Sequence, residues 1–491
     1  MSAPKPSHPP LSPELNRALR LVVLDGACSQ IMGTLTTGAI LVGFALLIDA
    51  SNTVIGILAG LPFLSQILQI PAVHFVNRLA RRRLIVVIAS AVSRTFWLTL
   101  ALIPWLVPPE WRVGWLLTTM VIFFSLNAIV NCAWNSWMRD LIPEQRMGFV
   151  FGRRMALATA LGAVLSLIAG FSIDHFQDAE GSAAGVYSML FLIGGGFGLL
   201  GVLFLHLTPE PEVQPEPGRS IFAVLAEPFR DLNFRKLLYF LGTWSFAVNM
   251  AAPFFSVYML KQLHMSMTYV LALSVLSQGV NALFFRFWGR LSDRFNNKSV
   301  LGVTGFLFLL TFLIWPFTTM PGSHALTLPL LVLIHTLAGI STAGVTLCTQ
   351  NIALRAAPYG RATAYLAVNA LISGSAAALA PVLAGSAADF FAVRELRLDL
   401  RWIVNGDPER SFLLQPIDLS GFDFLFVIAF FVGLYAMHRL LAVEEAGEVK
   451  EAVVVQELYH EARRIARHIS NVAGLRHLGY FPYVLLRYLK R

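Results

Sequence analysis

A chain of 491 residues that is 56% hydrophobic and 13% charged, with a mean hydropathy of +0.66, does not have the composition of a soluble α/β enzyme. The formal net charge of +9 is not gathered into one basic stripe with interleaved aromatics, so nucleic acid is not an expected partner. Cys28, Cys132 and Cys348 all lie inside apolar runs, with neither a disulfide framework nor metal-ligand spacing, and no cofactor or metal is expected.

Residues 1–18 are polar and proline-rich, without the short apolar core and small-residue cleavage site of a signal peptide, and read as a retained cytosolic tail. Twelve apolar runs follow, at 19–48, 53–76, 84–107, 113–138, 149–174, 186–207, 236–260, 268–288, 299–319, 325–351, 363–391 and 422–441. Each is long enough to cross a hydrocarbon layer of ~30 Å as a helix. The polar, proline-rich stretch TPEPEVQPEPGRS interrupts them after the sixth run. The expected organisation is a six-helix bundle over 19–207, a cytosolic linker over 208–235, a second bundle over 236–441 and a cytosolic tail over 442–491. In that tail Val455, Leu458, Ala462, Ile465, Ile469 and Val472 recur at steps of three and four, an amphipathic helix suited to a membrane surface or a docking partner.

The cations set the orientation. Arg78, Arg81, Arg82 and Arg83 follow the second run, Arg139, Arg146, Arg153 and Arg154 surround the turn between the fourth and fifth, and Arg290, Arg294 and Lys298 follow the eighth. The short loops on the other side carry only Arg112 and Lys261, although the longer loop from Arg394 to Gly421 holds four arginines. By the positive-inside rule both termini face the cytoplasm of a bacterial inner membrane.

The two bundles repeat one another. RDLIPEQR at 139–146 is echoed by RAAPYGR at 355–361, and at an offset of 215 residues Pro143 falls on Pro358, Arg146 on Arg361, Gly170 on Gly385, Asp174 on Asp389 and Phe176 on Phe391. The second half also contains GRLSDRFNNKSVL at 289–301, and the first half VNRLARRRLI at the equivalent turn, with Asn77 where the second has Asp293. Together these features resemble the major facilitator superfamily of secondary transporters. The resemblance implies an all-α membrane protein of twelve transmembrane helices in two pseudo-symmetric bundles that rock about a central cavity, working as a monomer on a small-molecule substrate. It also implies a cytosolic latch, in which Gly289 allows close approach, Asp293 lies near the N-terminal end of the eleventh helix with Arg294 and Lys298 as the cations of the turn, and Arg361 is a partner for Asp293. Arg146 is the first-half counterpart of Arg361, and Asn77 with Arg78 is a degenerate copy that caps without ionic pairing.

Ionisable and polar residues inside the runs are the substrate-cavity candidates. Asp25 leads, as the candidate proton carrier, with Gln30 and Thr34 beyond it on the first helix. Arg94 lies halfway through the third helix and suits an anion if it faces the cavity, or a structural ion pair if it does not. Asn127, Asn131 and Asn135 line one face of the fourth helix, and the same offset places Thr342, Thr346 and Gln350 on the tenth. Asn249, Gln278 and His335 complete the set. These amides and hydroxyls suit an uncharged or weakly charged organic solute. No G-x-x-x-x-G-K-[ST], G-x-S-x-G or H-E-x-x-H motif occurs, so neither ATP hydrolysis nor enzyme chemistry has a visible site. A non-transporting receptor or scaffold, and a lipid translocase on the same fold, are the alternatives.

Overall fold

The first apolar run is one helix with a break. α1 spans Pro13–Leu47 and is interrupted between Thr36 and Ala39, where Gly38 takes a φ of 62°, a left-handed backbone that a Cβ would oppose. The Thr36 and Thr37 hydroxyls donate to the carbonyls of Met32 and Gly33 at 2.7 Å, a back-bonding that bends helices. The computed structural model describes residues 13–69, 81–176, 182–211, 226–319, 324–358, 362–402, 412–445 and 456.

The first half continues with α2 (Asn52–Ile67), α3 (Arg82–Ala101), a short helix at Ile103–Leu106, α4 (Pro109–Leu141), α5 (Glu144–Phe176) and α6 (Ser182–Leu207). The second half holds α7 (Leu232–Lys261), α8 (Met267–Phe295), α9 (Asn297–Ile314), α10 (Thr327–Ala356), α11 (Ala362–Phe391) and α12 (Asp423–Leu440). Among the described residues eleven helices are long and apolar enough to cross a membrane, and Asn52–Ile67 is a shorter apolar helix. The chain is therefore a multi-pass membrane protein that is almost entirely helical. Local chemistry sets several helix starts. The Ser51 hydroxyl accepts from Val54 N–H at 3.3 Å to open α2, Asp231 from Phe234 N–H at 3.0 Å to open α7, and Asn296 from Ser299 N–H at 3.0 Å to open α9.

The two halves use the same neighbours. α1 packs on α5 and α6, and α3 on α4 and α6; correspondingly α7 packs on α11 and α12, and α9 on α10 and α12. The halves meet where α2 lies along α11 and α5 along α8, a reciprocal arrangement about a pseudo-twofold axis. Aromatics fill each bundle away from that junction, as where Phe44 meets Phe191 and Trp97 meets Phe123 edge to face in the first half and Phe255 stacks on Trp315 at 4.7 Å in the second.

One element departs from the expected pattern. Within the loop of 394–421, β1 (Glu395–Trp402) pairs antiparallel with β2 (Phe412–Ser420), with an irregularity between Leu398 and Leu400. Leu396, Leu398, Leu400 and Trp402 alternate with polar residues, a period of two that a search for long apolar runs passes over. Arg397 pairs with Asp418 across the strands at 3.5 Å. At the arginine-rich end, the Glu445 carboxylate accepts from Asn297 Nδ2 at 2.8 Å and Lys298 N–H at 2.7 Å, tying the segment after α12 to the start of α9. The amphipathic pattern beyond it lies outside the described residues.

Candidate functional site

At the end of the molecule opposite the arginine-rich turns, two carboxylates join the halves. Asp389, near the end of α11, accepts from Asn52 N–H at 3.1 Å, Thr53 N–H at 2.9 Å and the Thr53 hydroxyl at 2.6 Å. Asp174, near the end of α5, accepts from Met267 N–H at 2.8 Å and Thr268 N–H at 2.7 Å. These donors are the first residues of α2 and α8, where free N–H groups and the helix dipole favour an anion. Asp174 and Asp389, like Thr53 and Thr268, are separated by the repeat offset of 215, so one clamp is the symmetry mate of the other. Glycines let the backbones close. A Cβ on Gly385 would run into the Asn52 carbonyl, one on Gly56 into the Pro381 carbonyl, and one on Gly170 would come within 2.9 Å of Thr268 Cα.

The arginine-rich end is held differently. Asp293 lies 3.8 Å from Arg355 and Arg82 pairs with Asp140, each bond joining helices of one half. Asp140 and Arg355 are again 215 residues apart, with the sign of the pair reversed. Asn77, Arg78 and Arg361 lie outside the described residues. A Cβ on Gly289 would meet only Leu347 Cδ2 at 3.9 Å, so this glycine does not serve close approach as expected; its surroundings are open here. The Arg294 guanidinium lies over the Phe295 ring at 4.8 Å. Arg146 lines a groove between α1 and α5 together with Arg20 and Arg153.

The second half contains a cavity of about 310 Å³ between α7, α10 and α11. Its lining includes Trp244, Ser245, Asn249, Phe308, Thr342, Thr346, Thr349, Gln350, Asn369 and Ser373, with no charged side chain. Hydrogen bonds fix part of this surface: Ser245 donates to Ser373 O at 2.8 Å, Asn249 Nδ2 to Ser245 O at 2.8 Å, and the Ser373 hydroxyl to Asn369 Oδ1 at 3.1 Å. Asn249, Thr342 and Thr346 are thus brought together. Through the repeat, Ser245, Asn249, Thr342, Thr346, Gln350 and Asn369 correspond to Gln30, Thr34, Asn127, Asn131, Asn135 and Arg154. Gln30 donates to the Thr34 hydroxyl at 3.1 Å, and Asn131 and Asn135 are exposed in this structure.

The first half buries charge where the second does not. Asp25, with its side chain 3% exposed, lies between Arg94 at 3.6 Å and Arg154 at 3.9 Å. Arg94 is enclosed by α1, α3 and α6; it donates to Gly198 O at 2.5 Å and the Ser29 hydroxyl at 3.1 Å, and Gly198 and Gly201 leave the room it occupies. Arg154 comes from α5, crosses α1 over Gly26 and lies 4.8 Å over the Trp134 ring of α4, with its side chain 22% exposed. At the repeat offset, Asp25, Arg94 and Arg154 fall on Phe240, Leu309 and Asn369.

The remaining candidates are scattered. Gln278 is exposed on α8 and donates to its own helix at Ser274 O, 3.3 Å away. His335 is buried, with Nδ1 2.8 Å from Leu331 O and its ring edge-on to Trp315. Arg154, Ser245, Asn369 and Ser373 were not among the residues picked out for the cavity, and Asp174 and Asp389 were read only as marks of duplication. The offset of 215 pairs Gln30 with Ser245, Arg154 with Asn369 and Asp174 with Asp389, whereas Ser373 falls opposite Ala158 and leaves no such mark in the sequence.

Among the described residues, twelve apolar helices in two reciprocal halves, clamped at one end around polar walls, define a membrane transporter of the alternating-access kind rather than an enzyme. The chain belongs to the Major Facilitator Superfamily, whose family model matches residues 26–381, and it is a secondary transporter. Solved structures share the fold. The nucleoside transporter NupG, in a point-mutant form, superposes with a TM-score of 0.65 at 12% identity, over 88% of this chain and 100% of that one. A bacterial homolog of the human lysosomal transporter Spinster, inward-facing and occupied, gives 0.62 at 15% identity, over 88% and 97%. A POT family transporter in complex with a thioalcohol-conjugated peptide gives 0.60 at 12% identity, over 87% and 97%. No curated protein matches the chain in sequence.

Proposed function

We propose that the protein moves a small polar organic solute across a bacterial inner membrane as a monomer, with both termini and the arginine-rich turns in the cytoplasm. The observation that carries this reading is the neutral cavity of about 310 Å³, in which Ser245, Asn249, Thr342, Thr346 and Gln350 have polar, uncharged counterparts at matched positions in the first half. A volume of this size suits a small organic molecule, and a few fixed polar groups on an otherwise apolar wall supply orientation. The Asp174 and Asp389 clamps are then the closed periplasmic gate. The cytosolic latch through Asp293 and Arg294 belongs to the opposite conformer, which accords with the pairing of Asp293 inside its own half here.

Coupling to protons is assigned to Asp25. Protonating it would neutralise the carboxylate that, among the described residues, holds Arg94 and Arg154, so a proton taken up there changes the charge of the first-half wall by one unit. The test is a thermal-shift ligand screen on purified protein, repeated with Asn249→Ala and Asn127→Ala, followed by uptake of each hit into liposomes with and without a pH gradient. Hits are expected to lose their effect in both variants. Hits that stabilise all three forms equally sink the proposed lining, and uptake indifferent to the gradient sinks the role of Asp25.

A further inference from the structure

The two walls of the transport path do not match in charge. The thirteen residues that line the second-half cavity are all neutral, and Asn369 among them corresponds across the repeat to Arg154. Asp25 is the one carboxylate within 4 Å of Arg94 or Arg154 among the described residues, so the cluster carries one positive charge more than it cancels. The two arginines share Asp25 unequally. Arg94 is closer, is enclosed by three helices, and spends further donors on Gly198 and Ser29. Arg154 is farther, is more exposed, has a buried Nε with no hydrogen-bond partner, and rests on an aromatic face. A charge held inside a membrane protein without a full counter-charge is costly, and it persists where it meets a cavity and a partner that comes and goes.

The approach carries the same sign. The groove of about 750 Å³ between α1 and α5 is lined by Arg20, Arg146 and Arg153 and by no carboxylate. A cleft lined by one sign of charge between low-dielectric walls concentrates the opposite ion.

We propose that the substrate is an organic anion whose acid group docks on Arg154 while its neutral body occupies the second-half cavity beside Asn249, Thr346 and Asn369. This rests on the transport reading above and narrows its substrate class. Arg94 is the positioning residue: it keeps Asp25 engaged from behind, so that Arg154 is free to exchange Asp25 for the incoming acid group. A guanidinium suits this task because it binds a carboxylate or phosphate through two parallel N–H donors.

The test uses the full chain in detergent at fixed ionic strength, with melting temperature and binding by calorimetry as readouts. The probes are benzoate, citrate, glucose 6-phosphate, uridine monophosphate and benzenesulfonate, set against benzamide, glucose, uridine and benzenesulfonamide. The expected result is that at least one anion stabilises the protein where its neutral counterpart does not. Arg154→Gln should weaken that anion tenfold or more, Arg154→Lys should retain part of the preference, and Asp25→Asn, which releases both guanidiniums, should tighten it at least threefold. Shifts of opposite sign in two neighbouring variants are not produced by a general loss of folding. Equal response to an anion and its neutral partner, undiminished anion binding by Arg154→Gln, or no response to any of the five anions overturns the proposal. If neutral probes bind and Asn249→Ala abolishes them, the transport reading stands and only the anionic class falls.

Discussion

Asp389 accepts the Thr53 hydroxyl at 2.6 Å across 336 residues of chain, and the contact joins the last turn of α11 to the first turn of α2. Its mate, Asp174 on Thr268, does the same for α5 and α8. Together they close one end of the molecule with acceptors that use helix N-termini as their donors.

Removing these acceptors should open that end. Hydrogen bonds to a charged group contribute about 1.5–3 kcal/mol each, so Asp389→Asn, which weakens three, is expected to shift the balance toward the form open at this end by about tenfold or more. Asp174→Asn weakens two and should shift it less; the double variant should exceed either. Distances between spin labels flanking Asn52 and Asp389 would report the change, and unchanged distance distributions in the double variant would refute the clamp.

The glycines beneath the clamps give a steric version of the same experiment. Gly385→Ala and Gly56→Ala drive a methyl into the backbone carbonyls of Asn52 and Pro381, and overpacking of this kind costs about 1–3 kcal/mol. Both should disfavour the closed junction and slow transport. Gly114→Ala, which meets nothing within 4 Å, should leave transport unchanged in the same liposome assay.

Stability should depend steeply on Asp25. Breaking a buried ion pair from one side typically costs about 3–5 kcal/mol because the other charge is stranded. Asp25→Asn strands two guanidiniums and should lower the melting temperature sharply, whereas Asp25→Leu combined with Arg94→Met, which removes one charge of each sign, should recover much of the loss. A double variant no more stable than Asp25→Asn alone would show that the pair is not the source of the effect.

The contact of Glu445 with the start of α9 predicts a milder loss. Glu445→Ala removes acceptors from Asn297 and Lys298 N–H and should cost about 1–3 kcal/mol, seen as a modest fall in melting temperature without loss of ligand binding. Retained melting temperature would mean that this contact is dispensable to the fold.

The helices, their number and their duplication could be read directly from the chain, because a span across lipid requires a long uninterrupted apolar segment and leaves its mark locally. The polar stripes of α4 and α10 were legible for a related reason: side chains four apart on a helix share a face, whatever the helix packs against. The paired strands Glu395–Trp402 and Phe412–Ser420 were missed because their alternating leucines are individually unremarkable beside runs of twenty. Arg154 was missed because a basic residue near an arginine-rich turn reads as an orientation signal, and nothing near it in the chain reveals Asp25, Gly26 and Trp134 around its guanidinium.

The amino-acid order by itself determined a twofold bundle of membrane-spanning helices and the positions at which the two halves can be compared, since both follow from local hydrophobicity and from spacing. The tertiary structure alone decided at which end the two carboxylates join the halves, and that Arg94 is enclosed by three helices while Arg154 stays partly exposed beside the same Asp25. Those outcomes depend on short-range forces between groups that are distant in sequence, and a carboxylate finds its helix N-terminus only after the halves have folded against one another.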